Sequence, residues 1–119
     1  MSDIPSNWYN KSRRILVTID NNTGLSLRRE TSEYWDSGRV FGGNVEFIPP
    51  NSSGKFAAAE RDNSILRGVS GAITFGIYDN SARVGGLALG FSNPCIGSPK
   101  LKAIPNASAL IAYNSMTAN

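Results

Sequence analysis

The chain contains no histidine and a single cysteine, Cys95. Without histidine it lacks the commonest general base, the commonest metal ligand and the usual partner of a serine or cysteine nucleophile. One cysteine excludes an internal disulfide and any all-cysteine metal cage built from one chain. The expectation is a protein with no catalytic residues, no metal and no cofactor. Long apolar runs are missing as well, and none approaches the roughly 20 residues that span a bilayer as a helix. The start, "MSDIPSNWYNKSRR", lacks the apolar region of a secretory signal, so the sequence reads as cytoplasmic or released by a leaderless route, acting at membrane surfaces. A dense basic stripe is absent too. Net charge is +3, with the cations spread in small groups, which argues against a nucleic-acid partner and for mild attraction to anionic surfaces.

What is present is alternation. At 119 residues, 40% of them hydrophobic, the chain is one domain with one core. "RILVTIDNNTG" sets Ile15, Val17 and Ile19 against Leu16, Thr18 and Asp20 and then breaks in a turn. "LSLRRE" resumes with Leu25 and Leu27 inward, and "YWDSG" interrupts with two aromatics and a turn. "GNVEFIPP" alternates Val45, Glu46 and Phe47 before two prolines that cannot continue a ladder. Ala57 to Ala59 suit either a strand or a helical turn.

The clearest strand is "AITFGIYD", paired through Asp79-Asn80-Ser81 with "GGLALGFS" as a hairpin. Ile73, Phe75, Leu87 and Leu89 are its expected core residues, and Gly76 and Gly90 mark bulges or close packing. "KLKAI" and "ALIAY" read as two last short strands. Short strands at about ten-residue spacing, punctuated by Gly, Asn, Ser and Pro, predict an all-β fold: an antiparallel β-sandwich with little helix. The predicted division is an N-terminal arm, 1–13, and one sandwich domain, 14–119, with Trp8 packing the arm down.

Taken in order, "VTIDNNTG", "YWDSG", "PPNSSGK", "GVSGAITFGIYDN" and "LALGFSNP" resemble the corresponding segments of the actinoporins and their plant and fungal relatives. The similarity covers about residues 15 to 98. It implies a sandwich of actinoporin-like type that recognises membrane lipid, usually through a phosphocholine head group. The sandwich is similar to that of fungal fruit-body lectins, which bind glycans. The ending Phe91, Pro94, Gly97 and Ser98 is also similar to that of the aegerolysins, small lipid-binding proteins that act with partners.

Carried over residue by residue, the resemblance implies a ligand site at Ser37, Ser92 and Pro94, with Ser70 standing where that family has a small aliphatic residue. Trp35, beside Ser37, is a further candidate for the ligand or the membrane interface. Two departures accompany these matches. "CIGSPKLKAIPN" has none of the Tyr and Trp that the family places after this loop, and the residues before Arg14 offer no long amphipathic helix. The sequence also stops soon after "ALIAYNSMTAN", where actinoporins continue, and an edge left unpaired would invite a homo-oligomer. The leading expectation is a non-enzymatic module binding a lipid head group or a glycan. The alternatives are a cytolysin acting as an oligomer or with a partner, and an interaction protein that kept the sandwich and lost the site.

Overall fold

A computed structural model describes residues 4–43, 46–61, 68–94 and 97–117. Val45, Cys95 and the stretch 62–67 lie outside the described residues. Eight strands follow a 3₁₀ turn, Ser6–Asn10. They are β1 (Arg14–Asn21), β2 (Ser26–Ser37), β3 (Arg39–Gly43), β4 (Phe47–Ile48), β5 (Ser52–Ala59), β6 (Val69–Asp79), β7 (Ala82–Asn93) and β8 (Lys100–Pro105), and one helix, α1 (Ala109–Thr117), comes last. A three-stranded sheet in the order β1-β5-β3 faces a five-stranded sheet in the order β4-β2-β6-β7-β8, and every pairing is antiparallel. The expected all-β sandwich is the observed fold.

The alternation seen in the sequence sets the layers. Val17, Phe56, Ile73, Phe75, Leu89 and Phe91 point between the sheets and form the main core. Leu87, expected in the core, is half-buried and stands outside that cluster, although it is paired with the fully buried Phe75. Burying each large apolar side chain contributes roughly 1.5–3 kcal/mol. Ala57 to Ala59 extend β5, which decides between strand and helical turn in favour of the strand.

Asparagine does much of the local shaping. Asn21 is buried at the end of β1. Its amide donates to the carbonyls of Leu25 and Pro49 at 2.7 and 3.0 Å, and its Oδ1 accepts from the Thr23 amide and hydroxyl at 3.3 and 2.7 Å. A turn reading "DNNTG" is therefore pinned by one satisfied side chain. Asn80 takes φ 56° in the two-residue connection between Asp79 and Ala82, a conformation that Asn tolerates better than most residues.

The outer faces are covered differently. On the three-stranded sheet Trp8 packs with Phe41, Ala57 and Ala59, and its indole donates to the Ala58 carbonyl at 2.9 Å. The arm is thus held down by Trp8, as its sequence suggested. On the five-stranded sheet the cover is α1, whose Ala109 and Ala112 rest on Ala72 and Ala88. "ALIAY" is accordingly a helix and not the strand its composition suggested. Its buried positions Ala109, Ala112 and Met116 follow helical spacing, while Leu110 and Ile111 face outward. Gly90 permits the close approach, since a Cβ there would sit 3.1 Å from the Ala112 carbonyl oxygen.

Candidate functional site

The register of the larger sheet sets Ser37 opposite Ser70, Ser70 opposite Ser92, and Ser92 opposite Lys100. Directly opposed residues in neighbouring strands are about 5 Å apart. Three of the five residues singled out in the sequence therefore form one row across β2, β6 and β7, and β8 adds a lysine to its end. Ser70 and Ser92 share the outer face with Ala72 and Ala88, because side chains two apart on a strand point the same way.

The row runs into a cavity of about 280 Å³ between the end of the sheet and α1. Ser92, Pro94, Ser98, Lys100, Tyr113 and Met116 line it, with Gly97 at its mouth in a left-handed conformation, φ 109°. Pro94, which ends β7, and Met116 supply apolar wall. Lys100 donates from Nζ to the Met116 carbonyl at 3.1 Å, which ties β8 to the C-terminal end of α1, where a cation is favoured. The hydroxyls of Ser92 and Ser98 have no hydrogen-bond partner among the described residues.

Beside the cavity, Ser70 donates to Asp36 Oδ2 at 3.4 Å, and the Tyr113 phenol lies close to both. Burial raises the Tyr113 phenol above the ordinary tyrosine value, and the Asp36 carboxylate pushes the same way against the opposing Ser70 contact. The phenol therefore keeps its proton to higher pH than an ordinary tyrosine. The Tyr113 ring also packs against Tyr34 in a tilted pair, with centroids 4.9 Å apart.

The remaining candidates fall elsewhere. Trp35 turns to the other side of the sheet and packs edge-on against Phe91 in the main core, at 5.2 Å between centroids. Ser37 is half-buried and in register with Ser70, but it is not part of the cavity wall. In the other direction, Lys100 and Tyr113 were not legible as site residues. Tyr113 comes from the stretch that reads as a strand, and only helical winding swings it over the sheet.

A second cavity, of about 270 Å³, opens at the other end of α1 among Glu30, Ser32, Thr74, Arg83, Asn106 and Ser108. Most of its polar groups are engaged with the fold, the Ser32 hydroxyl alone among those named having no partner among the described residues. Arg83 clasps Glu30 through two hydrogen bonds of 3.0 Å, which draws the Glu30 carboxyl below its usual range. Thr74 donates to the Ser32 carbonyl at 2.6 Å, and Asn106 Oδ1 accepts from the Gly86 amide at 2.9 Å. The first cavity is the one that sets two such hydroxyls beside a lysine with no carboxylate in its wall.

No family model matches this chain, and no curated protein matches it either. No helix among the described residues is long and apolar enough to cross a membrane.

Proposed function

We propose that the protein is a non-catalytic recognition module whose cavity beneath the end of α1 takes a small hydroxyl-rich or phosphorylated head group, of the kind carried by membrane lipids and glycans. The observation that carries this reading is the pair of hydroxyls, Ser92 and Ser98, without partners among the described residues and facing the same cavity as the Lys100 ammonium. A phosphate or sugar oxygen would take a hydrogen bond from each, and the ammonium favours anionic oxygen over a cationic group. Pro94, Met116 and the Tyr113 ring provide the apolar side that such pockets pair with a few polar groups. The resemblance of "YWDSG" and "FSNP" to actinoporin-like lipid-binding segments points to the same end of the sheet.

The test is titration with phosphocholine, with inorganic phosphate and against a glycan array, using the wild type and a Ser92→Ala/Lys100→Met double variant. Each neutral hydrogen bond contributes about 0.5–1.5 kcal/mol and a charged one about 1.5–3 kcal/mol, so the double variant should bind at least tenfold more weakly. A ligand bound with undiminished affinity by the double variant would place the site elsewhere. Trp35→Ala should act on the melting temperature, since Trp35 is a core contact.

A further inference from the structure

The outer face of the three-stranded sheet carries a different chemistry. Arg14, Ala59 and Arg39 form one cross-strand row on β1, β5 and β3, and Thr18 is opposite Lys55 four residues further along the first pair. Because Ala57 and Ala59 belong to the cluster under Trp8, this whole parity faces outward: Arg14 and Leu16 on β1, Lys55 on β5, Arg39 and Phe41 on β3. Lys11 closes the group from the arm, with Nζ 5.5 Å from the Phe41 ring.

The cations are interleaved with rings. Arg39 lies 3.7 Å and Arg14 5.2 Å from the centroids of Phe41 and Trp8. Arg14 donates to the carbonyls of Tyr9 and Lys11, and Arg39 to that of Val40, so neither has a carboxylate partner among the described residues. Described residues of this layer carry Lys11, Arg13, Arg14, Arg39, Lys55 and Arg61 against two carboxylates, Asp20 and Glu60. Glu60 accepts from the amides of Ser12 and Arg13, and Asp20 accepts from the Ser53 hydroxyl. Amid these cations Tyr9 is 57% exposed and Leu16 47% exposed.

From this juxtaposition we infer that the outer face of the β1-β5-β3 sheet, with Tyr9 at its rim, docks on an anionic lipid bilayer. The charge is complementary to a surface of acidic lipids, which attracts each nearby Lys or Arg. The apolar part decides the class of partner. An exposed tyrosine and leucine beside cations on one face suit the boundary of a bilayer, where amphipathic rings settle at head-group depth, better than they suit a linear polyanion. The face is on the side of the sandwich opposite α1, so a docked molecule holds the α1 cavity away from that bilayer. This inference does not rest on the cavity binding anything.

Sedimentation with vesicles of phosphatidylcholine alone, and with about 30 mol% phosphatidylserine added, tests it. The wild type should partition at least tenfold more strongly onto the anionic vesicles, and the excess should vanish at high salt. Arg14→Glu or Lys55→Glu should each lower that partition about tenfold, whereas Lys102→Glu, the same charge change on β8, should lower it less than twofold. Tyr9→Ala should lower it about threefold with the charge unchanged. A circular dichroism melt of each variant establishes that it is folded. Equal binding to neutral and anionic vesicles, or equal loss from Arg14→Glu and Lys102→Glu, overturns the inference. So does a wild type that ignores both vesicles yet binds heparin or RNA through Arg14. Loss of cavity binding in Ser92→Ala/Lys100→Met with vesicle binding intact bears on the cavity reading alone.

Discussion

The two sheets share one core and differ on their outer sides. The three-stranded sheet is capped by large rings, Trp8 and Phe41, seated on Ala57 and Ala59. The five-stranded sheet is carpeted with Ala72, Ala88 and Gly90, which let a helix backbone come down almost to the sheet itself. A ring cap fills its space and leaves charge to gather on top of it. A helix on a small-residue carpet is short of the sheet's length and leaves a cavity beyond each end, and of these two the one at Lys100 sets a pair of unpartnered hydroxyls beside a cation with no carboxylate in its wall.

The largest effect that separates core from cover should come from Phe75→Ala. Phe75 is fully buried between the sheets, and large-to-small aromatic truncation in a core costs about 3–5 kcal/mol. Urea denaturation should show the midpoint collapsing, with Phe41→Ala, in the outer cap, losing clearly less. If the two variants lost the same stability, the distinction between core and cap would be wrong.

Gly90→Val attacks the carpet directly. The new side chain meets the Ala112 carbonyl and the Met116 methyl, both within 3.2 Å of where its Cβ must go, so α1 has to lift or tilt. Overpacking of this kind costs about 1–3 kcal/mol. The expected sign is specific to this side: the cavity at Lys100 and Tyr113 should lose ligand while the Arg14 face keeps its vesicle binding. Gly24→Ala, with nothing near its missing Cβ, serves as the neutral control.

Trp8→Phe tests the opposite cover. The ring is kept but the indole bond to the Ala58 carbonyl is lost, a partly compensated hydrogen bond contributing about 0.5–1.5 kcal/mol, with a further penalty for leaving a buried carbonyl unpaired. A modest fall in melting temperature should therefore accompany unchanged cavity binding. A fall in cavity affinity would show that the two covers communicate through the core.

How much of this was legible follows the same division. Strands announce themselves by alternation of large and small side chains, as Ile73 and Phe75 do against Ala72 and Thr74, and turns do so through residues such as Asn21 and Asn80. The hairpin at Asn80-Ser81 alone would set Ser70 opposite Phe91, and a bulge beside Ile77 and Tyr78, which the sequence does not announce, shifts the register by one to bring Ser70 opposite Ser92. What stayed hidden lies under the covers. Nine residues are too few for a strong helical period, and exposed Leu110 and Ile111 blur it further, so α1 resembles a strand until it is wound. With the helix hidden, Tyr113 could not be seen above the serine row, and the lack of aromatics in the stretch after Pro94 looked like a lost wall. Trp35 misled in the opposite way: its neighbour Ser37 joins the row, but a β-bulge between the two breaks the alternation and leaves the indole in the core.

The smallest predicted effect is on that tyrosine's proton. Burial and the nearby Asp36 carboxylate raise the Tyr113 phenol in the folded protein, so between the unfolded and folded values the native state holds a proton that the unfolded chain has released. Stability from this source is complete below the ordinary tyrosine range and is lost as pH rises through the folded value. Ultraviolet titration of the four tyrosines should show one late component, absent in Tyr113→Phe, which should also flatten the alkaline fall in stability. Asp36→Asn should bring the late component partway back, because it removes the charge and leaves the burial. If Tyr113→Phe left the titration curve unchanged, the phenol would not be held between Ser70, Asp36 and the helix, and the serine row would lose its link to α1.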